Sequence, residues 1–184
     1  MKTDLSIYDN SDFSTGRGVV GRVLWYYINA CIFKSYWLPI NRLKVLLLKI
    51  FGAKVGKGVV IKPNVNIKYP WRLSIGDNTW IGEEVWIDNL VDVSIGANCC
   101  LSQGAFLLCG NHNYKKATFD LITQSIVLED GVWIGAKSIV CPGVTAKTHS
   151  VLAVQSVATS NLDTYTIYQG NPAKEIKKRE IAAI

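Results

Sequence analysis

Aliphatic residues recur at every sixth position along most of the chain between residues 55 and 158. The residue four places after most of them is small or β-branched, as in Val59, Thr79 and Ser138, and a glycine often follows directly, as in Gly76 and Gly135. The aliphatic positions are Val55, Ile61, Ile67, Ile75, Ile81, Ile87, Ile95, Leu101, Leu107, Leu128, Ile134, Val140, Ala146, Leu152 and Ala158. A period of six matches neither an α-helix nor a simple alternating strand.

This six-residue period predicts a short strand and a tight corner, repeated along the chain. The aliphatic and small residues would point inward, and the glycines would relieve the backbone at each bend. Three faces per turn give a triangular prism whose coils stack at about 4.8 Å. An ordinary β-sandwich is the alternative, but its strands do not hold a fixed six-residue phase over such a length. We therefore predict a mainly β protein, a parallel β-helix of about five coils.

Extra residues interrupt the repeat at the same point of successive coils. The coils begin at residues 55, 75, 95, 128 and 146, which gives steps of 20, 20, 33 and 18 residues, and a regular turn needs 18. Each surplus follows the third face, so segments 70–74, 89–94 and 109–127 are predicted to lie together on one edge of the prism. Insertions in a solenoid mark either tolerated loops or a functional edge. Because the largest insertion carries His112, we favour function.

The chain has two histidines, His112 and His149. Imidazole titrates near neutral pH, so it is a natural general base for a hydroxyl group, and we expect this role for His112. His149 is predicted to be an ordinary surface residue. Cys109, three residues before His112, could instead form a nucleophile–base pair with it. Packing of a small residue at a β-corner is the simpler explanation of Cys109.

Four segments of the chain resemble those of one group of enzymes. They are WIDNL at 86–90, SQGAFLLCGNHNY at 102–114, FDLIT at 119–123 and VWIGAKSIVCPGV at 132–144. They are similar to segments of the colanic acid biosynthesis acetyltransferases in the hexapeptide-repeat acyltransferase superfamily, and the stretch leading to His112 also resembles galactoside and maltose acetyltransferases. The resemblance covers residues 55–178. It implies a left-handed parallel β-helix, acetyl-CoA as co-substrate and a homotrimer with active sites between adjacent prisms.

The resemblance also implies roles for residues near the insertions. His112 would deprotonate a sugar hydroxyl, which then attacks the acetyl-CoA thioester. Asp88 occupies the position of an asparagine that holds the acceptor in the galactoside enzymes, and Asn89 and Asn111 are further candidate acceptor contacts. Alternatively, Asp88 could orient the imidazole, as acidic residues do in catalytic triads. Both roles require Asp88 within hydrogen-bond reach of its partner.

The cofactor contacts implied by the resemblance lie later in the chain. Trp133 would border the thiol arm of coenzyme A, or simply stack on Trp80 and Cys100 of the preceding coils. The Gly135–Ala136 backbone would supply an N–H group to the thioester carbonyl, which stabilises a developing oxyanion. The remaining candidates are Val154, Thr159 and Ser160 along the wall and Lys174 and Lys177 for the phosphates. Lysine binds phosphate as a point charge, whereas the arginine of the galactoside enzymes binds it in a bidentate way.

Residues 1–54 do not follow the six-residue phase and are predicted to be helical. Pro39 divides them into two helices, and Gly52 ends the second. We prefer a cap on the open end of the solenoid. The alternative is an interfacial membrane anchor, since aromatic and basic residues are interspersed here. The β-helix follows at 55–163 with the inserted loop 109–127, and a short basic C-terminal tail occupies 164–184.

The composition of the chain limits the partners and the cellular compartment expected for the protein. With 49% apolar and 18% charged residues the chain is not expected to be disordered. Its net charge of +6 favours anionic partners such as phosphorylated cofactors or lipid headgroups. Nucleic acid is not an expected partner. Five cysteines without CxxC spacing indicate reduced thiols and a cytoplasmic protein. The apolar stretch 23–33 is too short to span a bilayer. No metal is expected, because the zinc enzymes that share this prism need three histidines and the chain has two.

These observations predict an O-acetyltransferase that acts on a sugar, free or linked to a lipid, in exopolysaccharide assembly. A lipid-linked acceptor would place the enzyme at the inner face of the membrane. Two alternatives stay open. One is acetylation of a drug such as a streptogramin or of an amino-sugar nitrogen, and the other is a non-catalytic structural solenoid.

Overall fold

The protein is a three-sided column of short parallel strands preceded by two helices. The structure is a computed structural model that describes residues 2–182. Helix α1 spans Val19–Ile28 and continues as a π-helical turn at Asn29–Phe33, helix α2 spans Asn41–Ile50, and 3₁₀ turns occur at Leu5–Ile7 and Pro70–Arg72. The strands are β1 (Lys54–Val55), β2 (Val60–Ile61), β3 (Asn66–Ile67), β4 (Leu73–Ile75), β5 (Trp80–Ile81), β6 (Trp86–Asp88), β7 (Val93–Ile95), β8 (Cys100–Leu101), β9 (Phe106–Leu108), β10 (Gly110–His112), β11 (Leu121–Thr123), β12 (Ile126–Leu128), β13 (Trp133–Ile134), β14 (Ile139–Val140), β15 (Thr145–Ala146), β16 (Val151–Leu152), β17 (Val157–Ala158), β18 (Thr166–Gly170) and β19 (Ala173–Lys178).

Corresponding strands of successive coils pair in parallel and form three faces. Face A contains β1, β4, β7, β12 and β15; face B contains β2, β5, β8, β13, β16 and β18; and face C contains β3, β6, β9, β14 and β17. Beyond β17, Leu162 bridges to Ala146 and begins a further coil. The column thus has five complete coils and a partial sixth, and the predicted parallel prism is confirmed.

The interior of the column is built from the two classes of residue that the repeat predicted. All the aliphatic positions are buried except Val55, which is half-buried. The small positions Thr79, Ser138, Ser150 and Ser156 have no exposed surface. Thr79 shows how a hydroxyl is accommodated there, since its Oγ1 donates to the carbonyl of Gly96 at 2.7 Å and accepts from the N–H of Cys99 at 3.0 Å. The two hydrogen bonds offset the cost of removing this hydroxyl group from water.

The glycines of the repeat have a different purpose from the one predicted. Gly76 and Gly135 do not have positive φ; the left-handed corner residues are others, such as Asn78 (φ 57°) and Lys137 (φ 55°). A Cβ atom on Gly76 would lie 2.5 Å from the backbone nitrogen of Ala97 in the next coil. The glycines are therefore required because adjacent coils approach closely, and the expectation that they relieve the bend is wrong.

Helices α1 and α2 cover the open end of the first coil. Uncovered strand edges expose unpaired backbone groups. Here the indole N–H of Trp25 donates to the carbonyl of Ile67 at 2.8 Å. The Asn41 amide donates to the carbonyl of Val59 at 2.9 Å and accepts from the N–H of Ile61 at 2.7 Å. These contacts support the cap interpretation. None of the helices within residues 2–182 has the length and apolarity needed to cross a bilayer.

The basic tail forms a hairpin at the other end of the column. Strand β18 extends face B in parallel with β16, and β19 returns antiparallel to it. The pairing of β19 covers the last parallel strand of face B. The described part of residues 164–184 is therefore largely an ordered part of the solenoid.

Candidate active site

The three insertions lie on one vertical edge of the column, between face C and face A, and we call this the loop edge. Each insertion follows a strand of face C and precedes a strand of face A. The segments contact one another, because the Arg72 guanidinium donates to the carbonyl of Leu90 and the N–H of Ile126 donates to the carbonyl of Asp92 at 3.3 Å. The predicted proximity of 70–74, 89–94 and 109–127 is confirmed.

The largest insertion is a β-hairpin. Strand β10 pairs antiparallel with β11, so that Gly110 lies opposite Thr123 and His112 opposite Leu121. The N-terminal segment supports the tip, since the N–H of Asp4 donates to the carbonyl of Ala117 at 2.9 Å. His112 is therefore held on a paired strand and not on an irregular loop.

The imidazole of His112 is fixed by Phe119 in two ways. The Nδ1 atom lies 2.9 Å from the carbonyl oxygen of Phe119. The rings of the two residues stack at 4.4 Å between centroids with an interplanar angle of 6°, and the ring of Tyr8 lies 6.0 Å away. Phe119 has φ 52°, a conformation that non-glycine residues seldom adopt, and it turns the carbonyl toward the ring.

This contact decides which nitrogen can act as a base. A carbonyl oxygen only accepts hydrogen bonds, so Nδ1 must carry the proton. In the neutral ring Nε2 then has the free lone pair. The tautomer is the one that a general base needs when Nε2 faces the substrate.

Asp88 is not the group that orients the imidazole. Its carboxylate is almost fully buried and lies 3.4 Å from Nζ of Lys68. Its Oδ1 is buried and makes no hydrogen bond among the described residues. A hypothetical Cβ on Gly110 would come 3.9 Å from Oδ2, which places the carboxylate beside the start of the hairpin. Within the described residues the carboxylate does not reach the imidazole, and the acceptor contact of Asp88 stays a prediction.

Asn89 does not fit the acceptor role. It has no exposed surface, and its side chain accepts from the N–H of Tyr69 at 3.0 Å and donates to the carbonyl of Tyr69 at 2.5 Å. The amide therefore holds the adjacent insertion in place. Asn111 is exposed beside the imidazole, and its Oδ1 accepts from the N–H of His112 at 2.8 Å.

The thiol of Cys109 lies in the core and is a poor nucleophile. The residue has no exposed surface, and burial, together with the charge of Asp88, raises the pKa of the thiol from 9.0 to about 12. The thiolate is the reactive species, so it is strongly disfavoured here. The nucleophile–base alternative is not supported.

Trp133 stands on the outer surface of face B. It is 46% exposed, pairs with Cys100 of the neighbouring coil, and donates from its indole N–H to Oγ of Ser102 at 2.9 Å. Cys100 in turn pairs with Trp80, so the predicted alignment is present, with Cys100 separating the two indoles.

The Gly135–Ala136 corner offers one backbone donor. The N–H of Gly135 is used by the carbonyl of Leu152 at 2.7 Å. Within residues 2–182, the N–H of Ala136 has no hydrogen-bond acceptor. Ala136, and not Gly135, is thus the candidate to bind an oxyanion. Val154 is exposed at the equivalent corner of the next coil.

The remaining cofactor candidates are exposed but do not cluster. Thr159 and Ser160 follow β17 on the loop edge, beyond the hairpin. Lys174 and Lys177 lie on β19, opposite Gln169 and Ile167. In the described part of the chain no group of three or more His, Cys, Asp or Glu residues is arranged to hold a metal ion.

One chain does not bring His112 and the face B residues together. His112 is on the edge between faces C and A, and Trp133 is on face B. In a three-sided column that edge points away from face B. A site that uses both residues therefore needs the loop edge of one column beside face B of another.

Comparison with known proteins identifies the family. No protein-family model matches the chain. The Escherichia coli K12 protein that carries the provisional name colanic acid biosynthesis acetyltransferase WcaF is 36% identical over 178 residues, which cover 93% of this chain and 97% of that protein. The chain belongs to the hexapeptide-repeat acetyltransferases, in the colanic acid biosynthesis group. The galactoside O-acetyltransferase of E. coli K12 is 25% identical to this acetyltransferase over 161 residues, which cover 86% of this chain and 77% of that protein.

Solved structures show the same fold. The hexapeptide-repeat acetyltransferase VCA0836 of Vibrio cholerae O1 biovar eltor, complexed with acetyl-CoA, matches the acetyltransferase with a TM-score of 0.79. The match covers 88% of both chains at 22% identity. The left-handed parallel β-helix predicted from the resemblance is confirmed.

Two contributions to the site were not predicted from the sequence. Phe119 acts through its backbone carbonyl, which every residue possesses, so the identity of the side chain gives no signal. Tyr8 reaches the hairpin from the far end of the chain.

His149, predicted to be a surface residue, is half-buried at a corner with φ 59° and stacks on Tyr165 at 4.7 Å.

Proposed function

We propose that this acetyltransferase moves the acetyl group of acetyl-CoA to a hydroxyl of a sugar used in exopolysaccharide assembly, with His112 as general base. The observation that carries the proposal is the contact between Nδ1 of His112 and the Phe119 carbonyl. It leaves Nε2 of the ring as the proton acceptor. Acetyl-CoA is bound in VCA0836, and the name of WcaF refers to a polysaccharide.

The chemistry is a direct transfer. Nε2 takes the hydroxyl proton as the sugar oxygen attacks the thioester carbonyl, and a C–O bond forms. The N–H of Ala136 donates to the oxyanion of the tetrahedral intermediate. The C–S bond then breaks, and the proton on Nε2 passes to the departing thiolate. The acetyl ester and free coenzyme A are the products, and His112 returns to its neutral form.

The active site would be shared between the subunits of a homotrimer. The loop edge of one subunit supplies His112, Asp88 and Asn111, and face B of its neighbour supplies Trp133 and Ala136. This arrangement is supported by the position of the two groups on opposite sides of one column. A heterologous contact of this kind closes into a ring when the rotation permits.

The cofactor wall would follow face B and its corner. Trp133 and Val154 border the thiol arm, and Thr159 and Ser160 would reach the cofactor from the loop edge of the adjacent subunit. Lys174 and Lys177, both exposed on β19, bind the phosphates of coenzyme A. We place the enzyme in the cytoplasm, and at the inner face of the membrane when its acceptor is linked to a lipid.

The test compares two histidine variants in a mass-spectrometric screen of sugars with acetyl-CoA. His112→Asn removes the base and should lower kcat by a factor on the order of 10² to 10⁴. His149→Asn is the matched control, because asparagine tolerates the positive φ of residue 149, and it should retain wild-type activity. Undiminished transfer by His112→Asn would refute the proposed base. Transfer to amines or drugs, but to no sugar, would refute the proposed acceptor class.

A further inference from the structure

Helix α1 presents an entirely apolar face to the outside. Trp25 is buried against the column, at 2% exposure, and the half-buried Arg22 and Asn29 flank it. The outward positions, all of them exposed, are Val19, Val20, Val23, Leu24, Tyr26 and Tyr27. A surface helix ordinarily has charged or polar residues on this side. Packing within the chain does not account for the outward face of α1.

The segments that follow α1 also expose large apolar side chains. In the linker before α2, Trp37 is 73% exposed and Ile40 51%. On α2, Leu46 and Ile50 are also exposed. Single exposed apolar residues are normal, but a concentration of large ones on one element marks an interaction site. We call the outward face of α1 together with these four residues the cap surface.

The sequence around the cap surface is basic, although Glu84 reaches the linker and accepts a hydrogen bond from the hydroxyl of Tyr36 at 2.9 Å. Residues 13–76 contain eleven of the 20 Lys and Arg residues and none of the 14 Asp and Glu residues. Among the eleven, Arg17, Lys34, Arg42 and Lys49 are exposed in or beside the helices. The rest of the chain carries more acidic than basic residues. The chain segments that form the capped end of the column therefore carry a net positive charge.

Apolar and aromatic side chains interspersed with basic ones suit the surface of an anionic bilayer. Aliphatic and aromatic groups enter the boundary between headgroups and acyl chains, and Lys and Arg bind the anionic headgroups. We propose that the cap surface docks the protein on an anionic membrane. The helices then have two roles, since Trp25 closes the first coil while the opposite face of α1 enters the lipid interface. This inference does not rest on the acetyl-transfer chemistry, because vesicle binding requires no turnover.

Cosedimentation with vesicles tests the proposal. The full chain should bind vesicles of phosphatidylcholine mixed with phosphatidylglycerol and should bind pure phosphatidylcholine much more weakly. Binding should decrease with added salt, since exposed charges are screened. Failure of the wild-type chain to bind the mixed vesicles would overturn the proposal.

A pair of double variants tests which residues carry the binding. Val20→Glu with Leu24→Glu places two charges on the apolar face and should lower the partition coefficient at least about tenfold. The matched control is Ile176→Glu with Ile181→Glu, which adds the same charge to exposed isoleucines beyond the last coil, and it should bind like wild type. Equal binding by both double variants would overturn the proposal.

The basic residues are tested in the same way. Arg42→Gln with Lys49→Gln should weaken binding to the mixed vesicles about tenfold or more, and Lys115→Gln with Lys137→Gln should not.

Light scattering distinguishes the other possible occupant, a second copy of the chain. If Val20→Glu with Leu24→Glu lowers the molecular mass in solution, the cap surface is a subunit contact and the membrane proposal fails.

Discussion

His112 and Phe119 form a unit in which the backbone carbonyl of one residue selects the tautomer of the other. The Nδ1 atom of His112 is 2.9 Å from the Phe119 carbonyl, and the two rings are nearly parallel. Phe119 is seven positions further along the chain and is brought back by the hairpin. In the proposed mechanism this unit is the general base, and its orienting partner is a carbonyl and not a carboxylate.

A pair of Phe119 variants should separate the carbonyl from the ring. Phe119→Val puts a β-branched residue at φ 52°, where it is strained, so the carbonyl should move and kcat should fall at least about tenfold. Phe119→Asn loses the ring but tolerates this φ, so it should lose clearly less. Steady-state kinetics across a range of pH is the measurement. Equal losses in the two variants would mean that stacking, and not the carbonyl, positions the imidazole.

Mixed oligomers of two inactive variants should reveal whether the active site of the proposed trimer is shared between subunits. His112→Asn and Ala136→Pro, which removes the backbone N–H, should each inactivate the enzyme. If the two residues of one site come from different subunits, refolding an equal mixture should restore up to about a quarter of wild-type activity. Each variant refolded alone is the control. A mixture that stays inactive would place both residues of a site in one subunit.

Cysteine labelling should distinguish buried from exposed thiols. Burial raises the pKa of Cys109 from 9.0 to about 12 and that of Cys99 to about 11, whereas Cys31 is exposed. In the native protein at pH 8 to 9 iodoacetamide should modify Cys31 and spare the two buried thiols, and in denaturant it should modify all three. Labelling of Cys109 in the native protein would support the nucleophile–base alternative.

The same shifts determine a pH dependence of stability. A thiol whose pKa is raised by folding stabilises the native state below the unfolded pKa, and this contribution is lost as the pH rises. Denaturant unfolding should therefore show decreasing stability from about pH 9 upward.

Two glycine variants should change stability in opposite directions. Gly76→Ala places a Cβ 2.5 Å from the backbone of the next coil, so it should lower the free energy of unfolding by about 1–3 kcal/mol. Gly21→Ala lies in α1 with its nearest neighbour at 3.6 Å, and it should raise the free energy of unfolding by about 0.5–1 kcal/mol. Thermal or denaturant unfolding of both proteins measures the difference. A neutral Gly76→Ala would show that the coils can separate locally.

The sequence by itself determined the column and the edge on which the insertions, and with them the proposed site, lie. Burial of one residue in six and of its small companion is a periodic constraint. The inward orientation of Ile81, Leu101 and Ile134 can therefore be predicted from the sequence alone. Surplus residues in a solenoid can only leave at the corners, and their phase predicted that 70–74, 89–94 and 109–127 would meet. His112 is the candidate base from the sequence alone because the six-residue phase places it in the largest insertion.

Only the tertiary structure decided how these residues act. Asn89 is polar and adjacent to Asp88 in sequence, yet its amide is consumed by Tyr69 of another coil. Gly76 is required by the backbone of the next coil and not by its own φ. The partner of His112 is a carbonyl oxygen, a group common to every residue, and the apolar side of α1 is recognised only once Trp25 shows which side is buried. Such facts depend on contacts between distant segments, and a local pattern of residue types does not encode them.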